Sequence, residues 1–298
     1  MALPDSVREQ VETTLGESGL GSRIASSAPI GGGCVSNGLR LDTHDGERYF
    51  LKWKSDAPDG MFAAETAGLR ALRRADGPRV PEPIGWSDSG TGPSWLLMEY
   101  VAPARAETDS DERMGRGLAK IHASATVTTF GFEHDNWIGA LPQANEPGTS
   151  WATFWRDRRI VPQLDLAREN GHLSGPELGQ LVELIPAALE GTGEAELLHG
   201  DLWSGNAYFS EGGVPVLIDP AVYRGDGEVD LAMSELFGGF GPRFYDAYHE
   251  VRPISPEYRS HRRDLYQLYY LLVHVNLFGA SYVASTVRAA RCVVAALR

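Results

Sequence analysis

Apolar residues recur at helical spacing near the start of the chain. In DSVREQVETTLG, Val7, Val11 and Leu15 fall one turn apart and predict an amphipathic helix, with Asp5 or Ser6 as its cap. The pattern then turns strand-like. Two segments, around Cys34 to Leu41 and Glu47 to Lys54, flank Asp45-Gly46, a hairpin signal. The glycine-rich stretch PIGGGCVSNG precedes the first of these strands or forms the turn leading into it. A helix follows in GMFAAETAGLRALRRADG, where Phe62, Glu65, Leu69 and Leu72 share one side, and two more strands come next, the second being SWLLMEYV. The polar segment APARAETDSDE, containing Pro103, separates this unit from a longer half, so the expected boundary divides residues 1–101 from 102–298. Helical stripes dominate the second half: Met114, Leu118 and Ile121; Leu178, Leu181 and Ile185; Leu265, Leu268 and Leu272; Val283, Val287, Ala290 and Val294. Between them the text ELLHGDLWSGNAYFSEGGVPVLIDPAVYRGDGEVDLAM reads as a non-helical island with a hairpin about Gly212-Gly213. The expected class is α+β in two lobes: a small antiparallel sheet with one key helix, then a larger, mainly helical lobe.

Composition narrows the class of partner. With a formal net charge of -13 and a pI near 5.1, most of the exterior repels nucleic acid and anionic membrane, so a small ligand is the expected partner. The N-terminal MALPDSVREQ carries charges where a signal peptide needs an apolar core, and no run is read as approaching the ~18 apolar residues of a membrane span. A cytoplasmic location is expected. The two cysteines, Cys34 and Cys292, are too few for a disulfide framework or zinc site and should be reduced thiols.

Candidate chemistry sits on the island. Asp201 and Asn206 are five positions apart in HGDLWSGN, and Asp219 in LIDPA follows beyond the hairpin. A strand-loop-strand path can bring these hard oxygen donors to one point, a set suited to Mg2+ that shares phosphate oxygens. Singly, each is an ordinary turn former. Their joint spacing resembles the protein kinase catalytic loop, H-x-D-x-x-x-x-N, with the later metal-binding Asp. That resemblance asks for a phosphate lysine, and alternation in RYFLKWK puts Phe50, Lys52 and Lys54 on one strand face. Glu65, on the packed side of the next helix, needs a cation, and Lys52 is the nearest supply. Gly32 and Gly33 lack the full G-x-G-x-x-G spacing, but upstream of Lys52 they read as a phosphate cover.

The segments LLHGDLWSGN, VLIDPA, GEVDLAMSELFGGF, LYQLYYLLVHVNLFG, GGGCVSNG, AAETAGLRAL and FGFEHDNWIGALPQAN closely resemble the fructosamine kinase (ketosamine-3-kinase) family, within the aminoglycoside phosphotransferase and choline kinase group. The resemblance implies a protein-kinase-like fold that uses ATP and Mg2+ to phosphorylate a sugar hydroxyl of a glycated amine, a deglycation repair activity on small-molecule or protein-bound adducts. It implies Asp201 as base, Asn206 and Asp219 as metal ligands, and Lys52, held by Glu65, on the phosphates. MEYV resembles a kinase hinge, with the Glu99 carbonyl and Val101 amide on adenine and Met98 behind it. Asp230 resembles the helix-start aspartate that braces the catalytic loop, and His199 reads as a packed loop residue. Trp203 is the candidate acceptor contact, equally readable as core. The segment Phe130 to Asn145, with Asp135, Asn136 and Trp137, and the segment His274 to Phe278 match family text that could line the same cleft. Cys34, among glycines and near Lys52, is a redox candidate, and the resemblance implies a disulfide-linked homodimer. Two rival readings share these residues: an aminoglycoside, choline or homoserine kinase, and a non-catalytic nucleotide-binding scaffold.

Overall fold

Helix α1 (Asp5–Glu17) buries Val7, Val11 and Leu15, the expected stripe. Pro4 occupies the N-cap position and no side chain caps the helix, so Asp5 is a first-turn carboxylate, favourable to the helix dipole, and neither it nor Ser6 is a cap. The stripe lies on one face of an antiparallel sheet of β1 (Ile24–Pro29), β2 (Asn37–Thr43), β3 (Arg48–Lys54), β4 (Pro83–Ser87) and β5 (Ser94–Glu99). Their order is β1-β2-β3-β5-β4. The computed structural model describes residues 3–298 except positions 22, 32–35, 89, 91, 125–126 and 175.

Period-two alternation divides β3 between two cores. Tyr49, Leu51 and Trp53 join the α1 cluster, while Phe50 packs against the larger cluster on the other face and Lys52 points the same way. Full burial of each large apolar side chain is worth about 1.5–3 kcal/mol, so slipping β3 by one residue would expose three of them and bury polar groups instead. The β2–β3 turn falls at Asp45-Gly46, and Gly46 takes the left-handed φ of 91° that this turn needs. Strand β1 was not expected. It pairs with β2, so the glycine-rich loop joins two neighbouring strands, and the bond from Ile30 N to Gly38 O at 3.0 Å closes the loop's mouth. Gly38 is opposite Lys52 in the β2–β3 register.

Helix α2 (Met61–Arg73) crosses the inner face of the sheet with Phe62, Leu69 and Leu72 buried. Asp88 accepts from the amides of Phe62 and Ala63 at 3.1 and 2.8 Å, satisfying two otherwise unpaired donors of its first turn. Its core continues without a break into the helical half. That half contains α3 (Ser110–Ala123), the short hairpin β6 (Asn136–Ile138) and β7 (Leu141–Gln143), and α4 (Trp151–Phe154), which passes through a π-helical turn, Trp155–Ile160, into α5 (Val161–Glu169). Then come α6 (Pro176–Ala188), β8 (Glu196–Leu198), β9 (Ala207–Ser210), β10 (Val214–Leu217) and β11 (Tyr223–Gly225). Helices α7 (Glu228–Leu236), α8 (Pro242–Val251), α9 (Arg263–Phe278) and α10 (Val283–Ala296) complete it.

The island expected from sequence carries two antiparallel pairs, β9 with β10 and β8 with β11. It ends earlier than expected, because α7 begins at Glu228. One further expectation needs correction. The helical stretch Tyr258–Ala296 is, by length and composition, apolar enough to cross a membrane. It bends at Gly279, and α9 buries nine residues from Leu265 to Val275 in the protein core, which accounts for its apolar text.

Candidate active site

The loop between β8 and β9 carries Asp201 and Asn206, and Asp219 follows β10 directly. Because β9 and β10 pair in register from Ala207↔Leu217 to Ser210↔Val214, the residues at the open end of the hairpin are neighbours. The Asn206 carbonyl accepts from Ile218 N at 3.0 Å, and its Nδ2 donates to the Asp201 carbonyl at 2.9 Å, to Asp201 Oδ2 at 3.1 Å and to Asp219 O at 3.4 Å. Three residues expected to converge from spacing do so, with Asn206 as the tie.

Two close backbone features make this possible. Gly200 has φ 81°, and a Cβ there would lie 2.1 Å from the Ala221 carbonyl oxygen, so only glycine lets the loop pass the strand beside it. Asp219 has φ 54° and is the one non-glycine residue with positive φ among those described. Such a conformation costs free energy and persists where the surroundings impose it, commonly at functional sites. Here its carboxylate is turned toward the sheet.

Lys52 crosses from β3 to meet it. Its Nζ lies 2.7 Å from Glu65 Oε1 and 3.0 Å from Asp219 Oδ1, with the residue only 8% exposed. Burial disfavours the ammonium, but Asp219 and Glu65 outweigh it and raise the Lys52 pKa, so the residue is a fixed cation. Burial raises the Glu65 pKa, opposed by Lys52. Burial, reinforced by the negative charge of Asp219, pushes Asp201 up to about 7. A carboxylate poised there is matched to accepting a proton near neutrality.

A buried brace holds the loop. Asp230, on the first turn of α7, accepts from the amides of His199 and Gly200 at 2.7 and 2.8 Å and pairs with His122 Nε2 at 3.1 Å. Burial alone would raise its pKa, but these partners lower it. His199 is fully buried, donates from Nε2 to the Ile218 carbonyl at 2.9 Å and does not line the cavity. Burial lowers its pKa, so it is neutral.

Lys52, Glu65, Asp201, Asn206 and Asp219 form one end of a cavity of about 440 Å³. Trp203 lines it, and a Cβ on Gly205 would collide with the Trp203 ring at 2.3 Å. Asn136 and Trp137 also line it, whereas Asp135 turns away to accept from Asn145 N at 2.7 Å. The other wall comes from Phe237 and from α9 and its following turn, with Tyr270, His274, Phe278 and Tyr282. Sequence reasoning marked 274–278 but not Phe237 or Tyr282; the aromatic flank of LFGGF was the signal for the former. Asn136 was named from the sequence, but its polar partner Gln143 was not singled out. Gln143 Nε2 donates to Asn136 Oδ1 at 2.7 Å, Asn136 Nδ2 to the Val222 carbonyl at 2.8 Å, and the Tyr269 hydroxyl to Gln143 Oε1 at 2.6 Å, pinning the β6–β7 hairpin beside the cavity.

Met98, Glu99 and Val101 are not among the lining residues. Met98 and Val101 are buried, the Val101 carbonyl accepts from the Tyr208 hydroxyl at 2.9 Å, and the Glu99 side chain pairs with Arg79. Gly32, Gly33 and Cys34 lie outside the described residues. Cys292 is a free, exposed thiol on α10.

The donor set fits a magnesium ion. With Nδ2 of Asn206 turned to Asp201, its Oδ1 faces the other way, and the Asp219 carboxylate is the partner acid; two hard oxygens of this kind, with phosphate and water completing the shell, are what Mg2+ takes. Among the described residues no three or more His, Cys, Asp or Glu side chains gather to hold a metal ion.

The comparisons with known proteins agree with this geometry. The family model described as fructosamine kinase matches residues 6–295. A Synechocystis protein named "probable ketoamine kinase" is 41% identical over 283 residues, 93% of this chain and 92% of its own length. The chloroplastic protein-ribulosamine 3-kinase of Arabidopsis thaliana is 37% identical over 291 residues, 94% of this chain and 85% of its own. A crystal structure from Thermobifida fusca, provisionally named fructosamine-3-kinase, superposes with a TM-score of 0.88 at 34% identity, covering 98% of this chain and 100% of that one. A two-lobed kinase-like scaffold, with a buried Lys52–Glu65–Asp219 cluster above Asp201 and Asn206 and relatives matched nearly end to end, makes this chain a member of the fructosamine kinase family.

Proposed function

We propose that the protein is an ATP-dependent ketoamine kinase, transferring the γ-phosphoryl group to a sugar hydroxyl of a fructosamine or ribulosamine adduct. The observation that carries this is the convergence of Lys52, Glu65, Asp219, Asn206 and Asp201 at one end of a cavity whose other end is aromatic. Residues 1–101 serve as the nucleotide lobe and 102–298 as the catalytic and acceptor lobe. Lys52, held by Glu65, meets the phosphates, Gly32 and Gly33 are assigned to the phosphates from the sequence alone, and the Glu99 carbonyl and Val101 amide, with Met98 behind, take the adenine. Asn206 and Asp219 would hold Mg2+, which when bound would neutralise charge on the triphosphate.

Asp201 accepts a hydrogen bond from the acceptor hydroxyl, the one on carbon 3 of the sugar if the plant relative's name carries over. The hydroxyl oxygen bonds to the γ-phosphorus as the bond from that phosphorus to the β–γ bridging oxygen breaks. The proton goes to Asp201 and ADP leaves. The transition state is loose, so positioning and electrostatics supply most of the rate, and the Asp230 brace serves that positioning. Trp203 flanks the acceptor. We place the reaction in the cytoplasm, where ATP is available. A redox-linked homodimer through Cys34 has no support in the described geometry or the relatives' names, and forms no part of this function.

The test is ATP turnover on fructose and ribulose adducts of simple amines beside aminoglycosides and choline. Turnover confined to the adducts is expected. Turnover of an aminoglycoside or choline instead would replace the substrate class, and none on any would leave a nucleotide-binding scaffold.

A further inference from the structure

The cavity extends well beyond the groups that handle phosphate. Tyr270, His274 and Phe278 stand four residues apart and share a face of α9. The Tyr270 hydroxyl donates to the Gly200 carbonyl at 2.8 Å, anchoring this stripe on the catalytic loop. At ~1.5 Å per residue the stripe carries Phe278 about 12 Å outward, further than a sugar ring reaches. Around His274 the rings of Phe237, Tyr282 and Phe278 stand 4.7, 4.9 and 5.5 Å away, centroid to centroid. This is not core packing, since Phe237 is 40% and Phe278 53% exposed. Apolar surface left open at the mouth of a site marks a contact for a ligand.

Charge says which ligand. Among the described residues lining the cavity the one Lys or Arg is Lys52, already engaged by Glu65 and Asp219. His274 donates from Nδ1 to the Tyr270 carbonyl at 2.8 Å, which leaves Nε2 as an acceptor, and burial lowers its pKa and keeps it neutral. A carboxylate in this outer half would lie against an apolar wall and find no cation among the described lining residues. An ammonium would meet aromatic faces and a neutral imidazole.

Resting on the kinase reading above, we propose that the outer half of the cavity seats the carrier amine of the substrate and selects apolar carriers without a carboxylate over free α-amino acids. Arylalkylamine adducts fit both the apolar wall and its charge.

The matched probe pair is the adduct of phenethylamine and that of phenylalanine on the same ketose, which differ by one carboxylate. The expected result is a kcat/KM at least about tenfold higher for the phenethylamine adduct, the scale of one badly placed polar group. Phe278→Arg, a change at an exposed position, should bring the ratio toward one or invert it. Equal or better turnover of the phenylalanine adduct by the unaltered protein, or a ratio indifferent to Phe278→Arg, would overturn the proposal. Calorimetric titration with the same two adducts, without ATP, reads the selectivity independently of catalysis. Absence of turnover on every adduct sinks the kinase reading, whereas equal affinity for the two sinks the selectivity.

Discussion

Replacing Lys52 with Met keeps a long unbranched side chain, one atom shorter, and removes the charge on which two carboxylates depend. The Lys52, Glu65 and Asp219 side chains are 10%, 12% and 29% exposed, with contacts of 2.7 and 3.0 Å. Removing one partner of a buried pair costs about 3–5 kcal/mol because it strands a charge. Asp219, the most exposed, can turn to water, so the stranded charge is mainly that of Glu65. That cost has a ceiling, since Glu65 can take a proton. From a reference pKa of about 4.3, protonation costs about 4.4 kcal/mol at pH 7.5 and about 1.6 kcal/mol at pH 5.5. Burial already raises the Glu65 pKa, with Lys52 opposing, so the variant moves further in the same direction. Urea denaturation of the metal-free protein in EDTA should therefore show Lys52→Met losing about 3–4 kcal/mol at pH 7.5 and less than half of that at pH 5.5. Adding Glu65→Gln should restore most of the loss at pH 7.5 and flatten its pH dependence. Equal losses at both pH values, or no rescue by Glu65→Gln, would refute the idea that Lys52 holds a buried carboxylate in its charged form.

Asp201→Asn should lower kcat by on the order of 10²–10⁴ while Mg-ATP still binds; turnover within about threefold of the parent would remove Asp201 as base. Asp219→Ala should abolish the Mg2+-dependent part of the Tm rise with ATP, since a ligand that binds only the native state stabilises by RT ln(1 + [L]/Kd), and an undiminished rise would clear Asp219 of metal binding. Burial, with the charge of Asp226, pushes Glu228 up to about 7, and its Oε2 is buried without a hydrogen-bond partner. A folded-state pKa above the unfolded one contributes stability that is fully present below the unfolded value of about 4.3 and is lost as pH rises through about 7. Glu228→Gln should flatten that decline between about pH 5 and 8 in urea titrations, and an unchanged slope would show that another group causes it.

The parts of this protein that could be read from its sequence are those whose cause is local. The α1 stripe, the Asp45-Gly46 turn and the two faces of β3 follow from the period of the chain alone, and the structure shows all three. The Asp201, Asn206 and Asp219 constellation was legible because one hairpin closes it. Strand β1 was not, since IASSAP buries only Ile24 and has no alternation to detect; its place is set by pairing with β2. The helix–π–helix segment from Trp151 to Glu169 was passed over for a similar reason. Its buried Arg159 carries no carboxylate partner among the described salt bridges and is held over the Tyr223 ring at 4.0 Å, an environment that no local pattern encodes. The aromatic wall of the cavity is less legible still. Phe237 follows α7, His274 belongs to α9 and Tyr282 to the turn beyond it, and only the packing of α7 on α9 and the bend at Gly279 bring the three rings together. Phosphate transfer demands short, rigid distances, which a contiguous loop and hairpin provide. On the proposed reading acceptor recognition needs a surface, and a surface assembled from separate segments could change its carrier preference at Phe237, Phe278 or Tyr282 without disturbing the Asn206 tie or the Lys52 cluster.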